Sequence, residues 1–125
     1  RGLHYQVPPF SQSKLIRVSY GRIIDIVVDL RKSSPSFGKY IAEELSDTNN
    51  RQIFIPHGFA HGFIVLSDTA IVSYKVDNYY SREHERGIIY NDENLNIEWN
   101  FDLKNIIVSD KDKAHPALTE AFKFE

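Results

Sequence analysis

The sequence predicts an all-β protein, an antiparallel sandwich or barrel, for three reasons. Apolar residues fall in short runs rich in β-branched and aromatic side chains, turn-forming clusters separate the runs at regular intervals, and helical patterning is confined to one short stretch near the C-terminus. The runs are "KLIRVSYG" (14–21), "RIIDIVVDLR" (22–31), "GKYIAEELS" (38–46), "RQIFIP" (51–56), "HGFIVLS" (61–67), "AIVSYKVDNYY" (70–80) and "RGIIY" (86–90). Between them stand "YGR", "SSPSFG", "SDTNN" and "LSDT", built from the residues that favour turns. The helical pattern is "HPALTEAFKF" (115–124).

Composition bounds what such a barrel does. A chain of 125 residues with 42% hydrophobic content suits one domain over 1–125 with one core, and no repeat, low-complexity tract or linker divides it. Fifteen basic against seventeen acidic residues leave a net charge of −2, so neither a nucleic-acid nor a membrane-surface role is expected. The absence of cysteine excludes disulfides and thiolate metal sites. No signal-like or membrane-length apolar run occurs, and a cytoplasmic location is expected. The chain opens at "RGLHYQ" without an initiator methionine and is expected to be part of a longer protein.

Period-two parity locates candidate chemistry. In "RIIDIVVDLR", Ile24, Ile26, Val28 and Leu30 share one face and Asp25, Asp29 and Arg31 the other, an inside/outside alternation. The same parity puts three polar residues on apolar faces: Lys14 with Ile16 and Val18, His61 with Phe59, Phe63 and Val65, and Tyr74 with Val72 and Val76. Each has a plain structural alternative, Tyr74 as a core ring with its hydroxyl bonded and Lys14 as a chain snorkelling out at a strand end. Three together point to a ligand-sized lumen. His84 and His115 read as surface residues, and "SREHER" as a solvated loop.

"IPHGFAHGF" (55–63) puts His57 and His61 four apart, a zinc spacing on a helix. Pro56, Gly58 and Gly62 rule a helix interior out, so the run is a turn entering a strand. His57 then sits in the turn facing solvent, and only His61 lies on the strand.

In order and spacing, "RGLHYQ", "KLIRV", "DLRKSSPSFG", "IPHGFAHGFIVLSD", "YKVDNYYS" and "SDKD" resemble the dTDP-4-dehydrorhamnose 3,5-epimerases, metal-free enzymes with the cupin jelly-roll fold. The resemblance spans essentially the whole chain, with Tyr90 standing before "ND" where the family usually has tryptophan, and it implies an N-terminal portion ahead of "RGLHYQ" that is missing here. The histidine-rich run is similar to the second cupin motif, but "RGLHYQ" has one histidine where a metal-binding cupin has His-x-His and an acid. His4 and His61 alone are too few ligands for a metal, and no cofactor is expected.

The reaction that the resemblance implies inverts C3 and C5 of a nucleotide-linked 4-keto-6-deoxyhexose, dTDP-4-dehydro-6-deoxyglucose becoming dTDP-4-dehydrorhamnose. Both centres flank the C4 ketone, so the site must supply a base, an acid on the opposite face and a positive charge for the enolate oxygen. By resemblance His4 is the base, Asp112 the carboxylate orienting it, Tyr74 the acid and Lys14 the group at the C4 oxygen. Arg1 and Lys111 would face the diphosphate, His61 and Glu85 the substrate, and Tyr79 would stack on the nucleotide base. A homodimer that pairs N-terminal strands across subunits is also implied. Two alternatives stand beside this: inversion at a single centre or 3,4-keto-isomerisation on the same fold, and a non-catalytic sugar-binding cupin.

Overall fold

The computed structural model describes residues 1–125. Eight strands, β1 (His4–Gln6), β2 (Lys14–Tyr20), β3 (Arg22–Asp29), β4 (Tyr40–Ser46), β5 (Gln52–Ile55), β6 (Phe59–Val65), β7 (Ile71–Val76) and β8 (Glu85–Gly87), precede one helical turn, α1 (Asp110–Lys113). They form a five-stranded sheet, β4-β3-β6-β1-β8, and a three-stranded sheet, β5-β2-β7, antiparallel throughout. This is the expected jelly roll. No helix is long and apolar enough to cross a membrane.

Two apolar layers hold it. Between the sheets, Ile16 and Val18 of β2 meet Ile23 and Val27 of β3, Leu45, Ile55 and Phe63. On the outer face of the larger sheet, Leu3, Tyr5, Ile26, Val28 and Ala60 are covered by Leu95, Trp99, Leu118 and Ala121 from the C-terminal segment. Asp92 pins that cover by accepting from the amides of Leu95 (3.0 Å) and Leu118 (2.8 Å). Truncating a fully buried member such as Ile16 to alanine would cost about 2–5 kcal/mol.

β3 is therefore buried on both faces, and the outward reading of Asp25 and Asp29 is corrected: both are buried. Asp29 accepts from the guanidinium of Arg31 and the hydroxyls of Ser34 and Ser36, which ties down the loop "DLRKSSPSFG". Burial alone would raise its carboxyl; these bonds hold it well below the usual carboxylate range.

Other expectations shift in place. β1 is a strand that three residues are too short to announce by periodicity, and β7 stops at Val76 while "DNYYS" turns away. "HPALTEAFKF" forms turns and not a helix; the helical turn precedes it, capped by Ser109, whose hydroxyl accepts from the Asp112 amide. Pro116 explains the offset, since proline disfavours helical backbone in the residue before it.

Candidate active site

One half of the space between the sheets is filled by the apolar layer; the other half stays open and polar. The opening is a cavity of about 160 Å³ lined by Arg1, His4, Gln6, Lys14, His61, Tyr74, Tyr80 and Glu85 among others. A larger hollow of about 620 Å³ lies on another flank and is mostly apolar, with Trp99, Phe101, Ile106 and Ile107 in its wall. Size does not decide between them. The groups able to move protons converge on the smaller one.

Strand pairing sets each side chain in place. His4 of β1 lies directly across from His61 of β6, and Gln6 across from Glu85 of β8. In the facing sheet Lys14 pairs with Val76, and Ile16 with Tyr74. The β1–β6 approach is very close: a Cβ at Gly2, whose φ is +113°, would come within 2.6 Å of the Gly62 Cα. Glycine at both positions, Gly2 just ahead of β1 and Gly62 within β6, permits this contact.

His4 donates from Nε2 to Asp112 Oδ1 at 2.6 Å, while the other carboxylate oxygen accepts the Gly2 amide at 3.0 Å. Burial pushes the Asp112 carboxyl up, but the Gly2 amide and His4 outweigh it and hold it at about 2. Burial lowers His4 below the ordinary histidine value, against the opposing pull of Asp112. The imidazole is thus neutral near pH 7, with its N–H on the carboxylate and Nδ1 as the basic nitrogen.

His61 has its own carboxylate. Its Nε2 lies 2.8 Å from Asp25 Oδ2, and the pair is almost wholly enclosed, at 3% and 0% exposure. Burial lowers His61. The second oxygen, Asp25 Oδ1, is buried without a hydrogen-bond partner. Tyr74 stands edge-on to His61 with ring centroids 5.9 Å apart, and burial raises its phenol above the ordinary value. Burial and the nearby Arg1 charge bring the Lys14 ammonium down to about 8, so it remains mostly charged at neutral pH.

The remaining expected binding residues divide. Glu85 lines the cavity and accepts from Lys111 (2.5 Å) and the Tyr80 hydroxyl (2.9 Å); Lys111 itself lies outside that lining. Tyr79 is 86% exposed and outside the lining, whereas its neighbour Tyr80 is within it. His57 is exposed and paired with Asp77, as its place in a turn suggested.

Two histidines read as surface residues are not. His84 is half-buried, bonded to the Ser81 hydroxyl and packed on Phe10, and Glu85 and Arg86 of "SREHER" belong to β8. His115 sits behind His4, with its Nε2 3.2 Å from the same Asp112 oxygen. Asp25 was also missed, though its signal was present: its neighbours on that face, Ile23 and Val27, are apolar.

A family model described as dTDP-4-dehydrorhamnose 3,5-epimerase matches residues 1–120. The chain belongs to this family. A dTDP-4-dehydrorhamnose 3,5-epimerase of Shigella flexneri is 54% identical over 112 residues, covering 90% of this chain and 61% of the relative. Among solved structures, the epimerase of Elizabethkingia anophelis superposes with a TM-score of 0.94 at 46% identity, covering 96% of this chain and 66% of that one. The Legionella pneumophila enzyme, solved in complex with dTDP-4-keto-L-rhamnose, gives 0.91 at 44% identity, with coverages of 96% and 63%. The chain thus spans roughly three-fifths to two-thirds of the length of these epimerases.

Proposed function

We propose that this chain is the catalytic domain of an epimerase that inverts C3 and C5 of dTDP-4-dehydro-6-deoxyglucose to give dTDP-4-dehydrorhamnose, a step in deoxysugar synthesis. The observation that carries the reading is that a neutral His4 backed by Asp112, a protonated Tyr74 and a charged Lys14 all line one cavity. The complex of the Legionella relative supplies the substrate class.

The chemistry follows from these groups. His4 takes the α-proton, and the electron pair of the broken C–H bond moves into the enolate, leaving charge on the C4 oxygen. The Lys14 ammonium stabilises that charge, an effect worth about 2.7–4 kcal/mol for one well-placed donor. The Tyr74 hydroxyl then delivers its proton to the opposite face of the same carbon, forming the new C–H bond. Its raised pKa keeps that proton available at neutral pH. Loss of the His4 proton to solvent and uptake of one by the phenolate reset the site. The second centre repeats the cycle.

We also read the protein as a homodimer. β4 and β5 are free edges of their sheets and expose Ile41 and Phe54 there, and the apolar hollow beside β6 is uncovered. The proposed substrate fits a cytoplasmic enzyme, since nucleotide sugars are made there.

Turnover in D2O tests the function. Deuterium at both C3 and C5 of an inverted product supports the proposal. Label at C3 alone would identify a single-centre enzyme, and binding without label a sugar-binding cupin.

A further inference from the structure

Position 87 faces His4 in the β1–β8 ladder, and it is glycine. A Cβ there would come within 2.5 Å of both ring nitrogens of His115, so the His115 imidazole occupies the volume that a side chain at 87 would need. The ring stands edge-on to His4, centroids 5.4 Å apart. One ligand-type atom from each of His4, Asp112 and His115 lies within 4.8 Å of the other two. The ligand count made from sequence, which paired His4 with His61 alone, therefore gains a carboxylate and a second imidazole from the other side.

We propose that His4, Asp112 and His115 form a site for a late first-row divalent cation, with Zn2+ the preferred ion, and that the ion competes with proton abstraction. Two imidazoles and one carboxylate are a donor set that zinc accepts, with a fourth position left for water. Tetrahedral zinc with bonds of about 2.1 Å sets ligand atoms roughly 3.4 Å apart. The His115–Asp112 edge, at 3.2 Å, already fits. The His4–Asp112 edge, at 2.6 Å, must widen as the proton between them leaves. The His4 imidazole moves its N–H from Nε2 to Nδ1 as Nε2 binds the ion, and His115 binds through Nε2. The frame is anchored: the Gly2 amide holds the second Asp112 oxygen, and Ser109 caps the turn that carries Asp112 and ends two residues ahead of His115. The pairs His61–Asp25 and His57–Asp77 lack a second imidazole and do not compete.

The inhibitory consequence rests on the epimerase reading, because an ion on Nε2 leaves His4 with a protonated Nδ1 and no lone pair for the substrate. The binding itself does not. Titration with Co2+, followed by its visible absorption, is expected to give one tetrahedral site per chain that Zn2+ displaces. His115→Phe keeps a ring in the pocket and removes the ligand; it should weaken binding by about a hundredfold or more, while His57→Ala leaves it unchanged. Wild-type protein without the Co2+ signal, or His115→Phe binding as tightly as wild type, would overturn the site. If the ion binds as described and the protein never epimerises, the functional reading falls and the metal site stands.

Discussion

Two of the histidine–carboxylate pairs have their histidines directly opposite one another on neighbouring strands, His4–Asp112 at 2.6 Å and His61–Asp25 at 2.8 Å, and they differ in nearly everything but chemistry. The first straddles the barrel and its C-terminal cover, with its carboxylate held by a backbone amide and a second imidazole. The second lies between the sheets, with Asp25 fully buried and His61 reaching the cavity wall from behind at 3% exposure. The same two groups thus differ in how far water and a ligand can reach them. A pair that must lose and regain protons needs access to substrate and water. A buried pair contributes mainly by satisfying its own polar atoms.

The largest expected effect separates them directly. His4→Ala should lower kcat/KM by about 10²–10⁴-fold and abolish exchange of substrate hydrogens with D2O, with little change in melting temperature. Asp25→Ala should instead leave the His61 donor unpaired and reduce unfolding free energy in urea by about 1–3 kcal/mol. Equal losses of stability in the two variants would erase the distinction.

Tyr74→Phe sharpens the same contrast from the facing sheet. Inversion should stop, yet exchange at C3 or C5 should persist, because His4 can remove a proton and return it to its own side. Circular dichroism should be unchanged, since the ring packing remains. Normal inversion in this variant would reassign the acid.

The pH profile gives the smallest effect. Burial lowers His4, so the acid limb of kcat/KM should fall below the ordinary histidine value of about 6.5. Lys14 is useful only while charged, and its pKa of about 8 places the basic limb there, with activity lost as pH rises through it. Lys14→Arg should remove the basic limb, because guanidinium does not titrate in this range. A limb that stayed at about 8 in that variant would belong to another group.

How much of this was legible depended on the length of the element that carries each residue. Lys14, His61 and Tyr74 lie on strands of six or seven residues, long enough for parity to expose a polar side chain on an apolar face. His4 and Asp112 lie on a three-residue strand and a four-residue helical turn, and only the family resemblance found them. Asp25 was readable by parity but shares its face with Asp29 and Arg31, which made the face look solvated; a strand covered on both sides carries no alternation to warn of it. His115 left no local signal, because the space it fills is defined by a missing side chain on another strand.

His4 and Asp112, the proposed base and its carboxylate, are 108 residues apart in the chain. Synthesis proceeds from the N-terminus, so His4 leaves the ribosome first and Asp112 roughly 5–20 s later at about 5–20 residues per second. β1 also waits for its partners, β6 and β8. A nascent chain that already holds β2 through β7 can pair those strands and bury their apolar layer while His4 still lacks its carboxylate. Onset of epimerisation in a synchronised translation reaction would therefore be a clock for emergence of the C-terminal cover, read without any label on the protein.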